Sequence, residues 1–298
     1  MKYIKIKHRY LKIMLFCCVL FFFALIVSAS LSYKQSIKDK LSFSTSAVVS
    51  LSQKTTHQPD SALKKQWKTT LANQDANVDI AVYNHKNKQT TIYNNSTDTT
   101  YYTASIVKVS ILANLLRQHE EDNTALSSTE KALAQKMIKE SDNDATTTLL
   151  NTYEGSYSAP DRLFSALNMS HSKMNVRAWG LSTTTADDQV KLLNTLAYGK
   201  NSTINSTNRN YILNLMANIN PNQDWGIGSG VNADATIELK NGWLNYDNSW
   251  IINSVGHIET DDTNYTIAVL TNGNTNEQDG IDLIERMATV TAKHLASD

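Results

Sequence analysis

The spacing of apolar residues changes twice along this 298-residue chain, and no other feature constrains the fold as strongly. The runs "VDIAVYN" and "QTTIYN" alternate apolar and polar residues on either side of the turn "HKNK", which predicts a β-hairpin. From Ser105 to about Ala217 the spacing is helical. After Asp224 the runs "ATIELKNGWL", "SWIINSVGHI" and "YTIAVLTNG" return to a period of two and predict three more strands.

Helical patterns stand at both ends of this region. "SALKKQWKTTLANQ" precedes the hairpin, and "NEQDGIDLIERMATVTAKHLAS" closes the chain. Ser127, three residues before Glu130, forms a capping-box pattern, and "TTTADDQVKLLNTLAYG" ends at Gly199 as helices tend to. We therefore predict a mixed α/β (α+β) fold. Its antiparallel five-stranded sheet is covered by the N- and C-terminal helices, and an all-helical subdomain is inserted at residues 103–218.

A separate apolar segment precedes the domain, which we place at residues 61–298. Residues 13–31 are apolar or small throughout and long enough to cross a bilayer, and residues 1–12 carry basic side chains and no acidic one. This pattern predicts a cytoplasmic basic tail, a transmembrane anchor, a linker at residues 32–60 and a domain outside the membrane. The alternative is a cleaved signal and a secreted domain, because Val27-Ser28-Ala29 resembles a cleavage site.

Composition excludes several kinds of function. The chain carries 28 basic and 28 acidic residues, so we expect no nucleic-acid partner. Both cysteines, Cys17 and Cys18, lie in the apolar segment, which leaves the domain without a disulfide, a thiol nucleophile or a cysteine metal site. His171, His257 and His294 lack the spacing of metal ligands. We therefore expect neither a metal nor a cofactor.

Ser105 and Lys108 stand at the start of the apolar run "SIVKVSILANLL" and share one helical face. A lysine is rarely buried without a partner or a task, and a lysine held neutral by burial can take the proton of a serine hydroxyl. The spacing alone is weak evidence. Three other Ser-x-x-Lys pairs, at residues 61–64, 128–131 and 170–173, lie in polar surroundings typical of a solvated surface.

Two further motifs bear on this pair. Ser141-Asp142-Asn143 follows one predicted helix and precedes another, where a hydroxyl could pass a proton and an amide could hold a carbonyl. These residue types also cap helices, so capping alone would explain them. Lys240-Asn241-Gly242 lies in a predicted strand and combines a cation with a glycine that permits close backbone approach.

Together and in this order, the three motifs resemble the signature of penicillin-binding proteins and class A β-lactamases, which are active-site serine hydrolases. The resemblance spans residues 61–298 and is closer to the class A branch. It implies a β-lactamase/transpeptidase-like fold. It also implies that Ser105 is the acylated nucleophile, that Lys108 is its base or proton relay, and that Ser141 passes a proton to the leaving nitrogen.

The resemblance also implies a substrate site. Asn143 would bind the side-chain amide of the substrate, and Lys240 would place positive charge near the substrate carboxylate. Asn241 and Gly242 would line the same strand, and the backbone amides of Trp243 and of the nucleophile would form the oxyanion hole. The implied substrate is a β-lactam or a D-Ala-D-Ala-type amide of a peptidoglycan stem peptide. We expect the enzyme to act as a monomer on the outer face of the cell membrane.

The sequence departs from the class A pattern at two places. Asn241 replaces a hydroxyl residue; an amide can still donate to a carboxylate with a different reach, so substrate preference is affected more than catalysis. The second departure follows Arg177 and Trp179, where class A enzymes carry a long loop with a glutamate that activates the deacylating water. Here Gly180 follows the tryptophan, and the segment is short and lacks a glutamate.

Other acidic residues do not fill this gap in the sequence. Asp187 and Asp188 resemble first-turn helix acids, and Glu154 lies on the wrong side of the following helix. We therefore predict slow hydrolysis of the acyl-enzyme. The alternatives are a penicillin-binding D,D-peptidase acting on peptidoglycan and a wall-associated sensory or binding domain that acylates without turnover.

Overall fold

The computed structural model describes residues 60–199 and 203–297. The predicted tail and apolar segment, and the predicted linker up to residue 59, lie outside the described residues. Among the described residues, no helix combines the length and apolar character needed to cross a membrane.

The regular elements follow the order expected from the hydrophobic spacing. In chain order they are α1 (Ser61–Thr70), β1 (Asn77–Asn84), β2 (Gln89–Asn94), β3 (Tyr101–Tyr102), α2 (Val107–Glu121), α3 (Ser128–Lys139), α4 (Asn143–Thr148), α5 (Asp161–Ala166), β4 (Thr183–Thr184), α6 (Ala186–Tyr198), α7 (Ser206–Met216), β5 (Thr236–Tyr246), β6 (Ser249–Glu259), β7 (Asn264–Asn274) and α8 (Glu277–Ala296). A π-helical turn, Leu149–Tyr153, continues α4.

The five long strands form one antiparallel sheet in the order β2-β1-β7-β6-β5. The predicted hairpin is β1 and β2, and the three later runs are β5, β6 and β7. The terminal helices α1 and α8 cover one face, where Leu63 and Trp67 pack with Ile284 and Met287. The indole of Trp67 donates to Thr291 Oγ1 at 2.9 Å and joins the two helices. The predicted fold class is confirmed, and β5 is left at the edge of the sheet.

The helices α2–α7 form the insertion between β2 and β5. Ser127 caps α3 as the sequence predicts: its hydroxyl accepts from the Glu130 amide, and the Glu130 carboxylate accepts from the Ser127 amide. Thr185 caps α6, which ends before Gly199. One detail departs from an all-helical insertion, because β3 and β4 pair in a short antiparallel ladder. Two-residue strands carry no alternation, so the sequence pattern could not indicate them.

Candidate active site

Lys108 lies in the first turn of α2, fully buried. Its Nζ donates to the carbonyl oxygen of Ser141 at 2.6 Å, to the Ser141 hydroxyl at 3.0 Å and to Asn143 Oδ1 at 2.8 Å. The first two motifs therefore meet at this amine. Burial lowers the pKa of Lys108 to about 7, against an opposing effect of the nearby Asp142 charge. At neutral pH a large share of this lysine is the neutral amine, which is the form that can accept a proton.

Lys240 brings the third motif to the same hydroxyl. Its side chain is buried, and Nζ donates to Ser141 Oγ at 3.1 Å and to the Asn241 carbonyl oxygen at 2.9 Å. Burial lowers the pKa of Lys240 well below its usual range, and the neighbouring Lys108 charge lowers it further. The Ser141 hydroxyl thus lies between two amines that both favour losing a proton, which suits it for relaying one.

The second motif combines capping with these contacts. Asp142 caps α4 by accepting from the Ala145 amide at 2.7 Å, as the capping interpretation expects. The residues on either side of it, Ser141 and Asn143, bind Lys108 instead. Ser141 adopts a φ of +54°, in the left-handed region that is strained for a residue other than glycine. Such strain is common where a side chain must be aimed at a functional position.

Ser105 lies on a 3-10 turn, Ala104–Ile106, that leads into α2, and it is half-buried. The edge strand β5 passes directly beside it: a Cβ added to Gly242 would lie 2.7 Å from the Ser105 amide nitrogen. Only a glycine allows this approach, which explains the third residue of the Lys-Asn-Gly motif. Ala104, with a φ of +45°, adds a second strained residue immediately before the serine.

Asn253 on β6 is a positioning residue that the sequence reasoning missed. Its amide group donates to the carbonyl oxygens of Tyr102 and Thr103 at 2.9 and 3.0 Å, just ahead of the serine turn. The side chain is fully buried. The only signal in the sequence was an asparagine in the middle of the run "SWIINSVGHI", where an apolar residue would be usual for a buried strand.

The side-chain amide of Asn241, expected to donate to a substrate carboxylate, is hydrogen-bonded within the protein. Its amide group donates to the carbonyl oxygens of Gln223 and Trp225, both at 2.8 Å, and fixes that segment to β5. Its Oδ1 is buried and has no protein partner among the described residues. Both amide hydrogens are occupied, so this geometry offers no donor from Asn241 to a substrate carboxylate. Trp243, two residues on, packs edge to face on Trp225 with 6.1 Å between ring centroids.

The short segment around Trp179 brings an aromatic ring to Lys108. Nζ of Lys108 lies 5.0 Å from the centroid of the Trp179 ring, over its face. The indole N–H donates to Thr147 Oγ1 on α4 at 3.2 Å. In the sequence, Trp179 only marked the start of the segment that corresponds to the class A loop. Nothing there indicated that its ring would face Lys108.

The acidic residues considered from the sequence are engaged elsewhere. Asp187 and Asp188 pair with Lys191 in the first turn of α6. Glu154 accepts from Asn114 at 3.0 Å in the core, where burial raises its pKa to about 8. Within residues 60–199 and 203–297, no carboxylate is hydrogen-bonded to Lys108.

Two of the three histidines considered from the sequence have partners on other elements. His257 bonds the carboxylate of Glu238 and the side chain of Asn264, and His294 bonds Asp60 at the start of α1. No group of three or more metal-ligating side chains occurs in the part of the chain that the structure describes.

The edge of the sheet and the helical insertion thus bring together a partly exposed serine, a buried lysine and a hydroxyl that a second buried lysine shares. Acyl transfer through a serine uses residues of these types. A family model described as the β-lactamase enzyme family matches residues 62–132 and 127–295. The chain therefore belongs to the β-lactamase enzyme family and is a serine hydrolase that acts on amide bonds.

Solved structures share the fold at low sequence identity. PBP-A is 18% identical with a TM-score of 0.71, and the match covers 81% of this chain and 98% of PBP-A. A class A β-lactamase from Bacteroides cellulosilyticus is 17% identical with a TM-score of 0.70, over 81% and 100% of the two chains. The TLA-1 extended-spectrum β-lactamase is 16% identical with a TM-score of 0.70, over 80% and 100%. No curated protein sequence matches this chain.

Proposed function

We propose that this chain is an extracytoplasmic active-site serine hydrolase that is acylated at Ser105 and releases the acyl group slowly. The proposed substrate is a β-lactam or a D-Ala-D-Ala-like amide. One observation carries the proposal: the Ser141 hydroxyl is hydrogen-bonded both to Lys108, which lies three residues after Ser105, and to Lys240, so that three distant motifs meet. Packing alone does not require two buried lysines to meet at one hydroxyl.

Acylation follows from this arrangement. The hydroxyl oxygen of Ser105 attacks the carbonyl carbon of the amide, and its proton passes to the neutral amine of Lys108. The tetrahedral intermediate then collapses, the carbon–nitrogen bond breaks, and the leaving nitrogen takes a proton relayed through the Ser141 hydroxyl. The product is an ester on Ser105. Lys240 keeps the Ser141 hydroxyl oriented during the relay.

Slow release of the acyl group is the second part of the proposal. Hydrolysis of the ester needs a base to activate water, and carboxylates commonly have that role. Glu154 and Asp188 are bound to other partners, and Trp179 covers one side of Lys108. This favours a long-lived acyl-enzyme. The same observations are compatible with a D,D-peptidase and with a sensory or binding domain that acylates without turnover.

The proposed location rests on the sequence. The apolar residues 13–31 and the basic residues 1–12 support an anchor with the domain outside, or a secreted domain if the segment is cleaved. A protease added to intact cells that express the chain would degrade the domain if it lies outside. Protection of the domain would contradict this location.

The substrate is tested with the full-length chain and a chromogenic cephalosporin, followed beside intact mass over time. A burst of colour no larger than the enzyme concentration, with a stable mass adduct, supports the proposal. Rapid steady turnover contradicts slow release, and the absence of both adduct and colour contradicts acylation by β-lactams. Release of D-alanine from a D-Ala-D-Ala peptide would favour the peptidase over the sensory alternative.

A further inference from the structure

Trp179 makes a contact that acyl transfer by Ser105 and Lys108 does not require. Its ring face lies over the Lys108 amine, and it belongs to the segment that lacks a glutamate. We propose that Trp179 is a positioning residue of this site, whose ring face stabilises the ammonium form of Lys108 and holds the amine toward Ser141 and Asn143.

Trp179 is held both at its ring and at its backbone, which makes the contact with Lys108 a fixed part of the site. On one side the indole N–H is bonded to Thr147 of α4. On the other, the carbonyl oxygen of Trp179 accepts from the Ser182 hydroxyl at 2.6 Å, and the Ser182 carbonyl oxygen accepts from the Thr103 amide at 2.8 Å. Thr103 lies two residues before Ser105. Hydrogen bonds through Ser182 thus link the backbone of Trp179 to the turn that carries Ser105.

The charges around Lys108 explain why a ring face matters there. Asp142 contributes negative charge and favours the ammonium of Lys108, and the charge of Lys108 in turn lowers the pKa of Lys240. Ser141 and Asn143 contribute neutral acceptors. Burial disfavours the ammonium most strongly, and no carboxylate is hydrogen-bonded to Lys108 among the described residues, so the ring face is a further contact that favours the charged form. The negative face of an indole attracts positive charge, and its effect is larger where water is excluded.

The proposal is tested by titrating Lys108 in the full-length protein, using the nuclear magnetic resonance signals of isotope-labelled lysine. The Lys108 signal is assigned by its loss in Lys108→Met. Trp179→Leu keeps an apolar cover and removes the ring face, so the midpoint should fall by about one pH unit. Trp179→Phe keeps a weaker ring face and should give a smaller fall in the same direction.

Two controls separate the ring face from packing. Thr147→Val removes the acceptor of the indole N–H and keeps the ring, so the midpoint should change by less than in Trp179→Leu. Replacing the tryptophans biosynthetically with fluorinated tryptophan weakens the negative ring face with little change of shape. It should lower the midpoint even if the leucine variant fails to fold. An unchanged midpoint in the fluorinated protein, or a raised one, would overturn the proposal.

A kinetic measurement extends the test. The pH at which acylation reaches half its maximal rate should fall in Trp179→Leu by the same amount as the lysine midpoint. This part rests on the proposed function, whereas the titration does not. If penicillin fails to acylate the parent protein while the titration shifts as expected, the proposed substrate is wrong and the role of Trp179 stands.

Discussion

At the scale of single residues, Lys108 shows most clearly how burial changes the chemistry of a side chain. A fully buried amine with three oxygen acceptors is satisfied in its contacts, yet burial makes its charge unfavourable. The same residue in an exposed helix would remain an ammonium at neutral pH and could not accept a proton from Ser105. In the proposed mechanism, the apolar surroundings are therefore what allows Lys108 to act as the base.

A pH profile of acylation tests this residue. The pKa of Lys108 lies at about 7, and only the neutral amine accepts the proton, so the second-order rate of acylation should rise through that pH and level off above it. Stopped-flow measurement with a fluorescent penicillin gives the profile. A rate independent of pH between about 5 and 9 would contradict a titrating lysine base.

Glu154 offers a second prediction at this scale, about stability. Its folded-state pKa is raised from 4.5 to about 8, so between these values the folded chain holds a proton that the unfolded chain has released. Stability should therefore fall as pH rises through this window. Glu154→Gln should match the parent at low pH and become more stable than it near pH 8, by thermal unfolding. Parallel pH curves for the two proteins would show that Glu154 is ionised in the fold.

At the scale of elements, the long strands and the terminal helices could be predicted because each carries its own period. The ladder of β3 and β4 could not, because two-residue strands depend on contacts far along the chain. The left-handed φ values of Ala104 and Ser141 were also beyond the sequence, since neither residue favours that region. These features lie beside the site, where surrounding packing overrides local preference.

Asn241 shows how one side chain joins a strand to a neighbouring segment. Its amide fixes the segment that contains Gln223 and Trp225 to the edge strand, and a hydroxyl has a shorter reach and only one proton. Asn241→Thr should lower the free energy of unfolding by about 1–3 kcal/mol and speed amide hydrogen exchange near Trp225. Asn245→Thr, an exposed position on the same strand, is the matched control. Equal effects at the two positions would contradict this role.

At the scale of the whole molecule, the site lies where the sheet meets the helical insertion. Ser105 and Lys108 come from the start of α2, Ser141 from the loop before α4, and Lys240 from β5. No single motif predicted this convergence. The three motifs predicted it together, because their order along the chain resembles that of a known family. The ring of Trp179 and the amide of Asn253 were missed, since a contact between distant segments leaves no local pattern.

Replacing Lys240 tests whether this buried side chain serves function or stability. A fully buried lysine with a lowered pKa is a poor contributor to stability, and an apolar residue of similar length fits the same space. Lys240→Met should leave the melting temperature equal or higher while acylation slows about 100-fold, because Ser141 loses its orienting partner. A large loss of stability with acylation unchanged would reverse this assignment.

The central claim is that Ser105 is the acylated residue of a site built from these motifs. The most direct measurement is to treat the full-length protein with labelled penicillin, digest it and map the label by mass spectrometry. We expect the label on the peptide that contains Ser105, no label in Ser105→Ala, and normal labelling in Ser128→Ala, which alters an exposed Ser-x-x-Lys pair. A label that persists in Ser105→Ala, or that maps to another residue, would contradict the account.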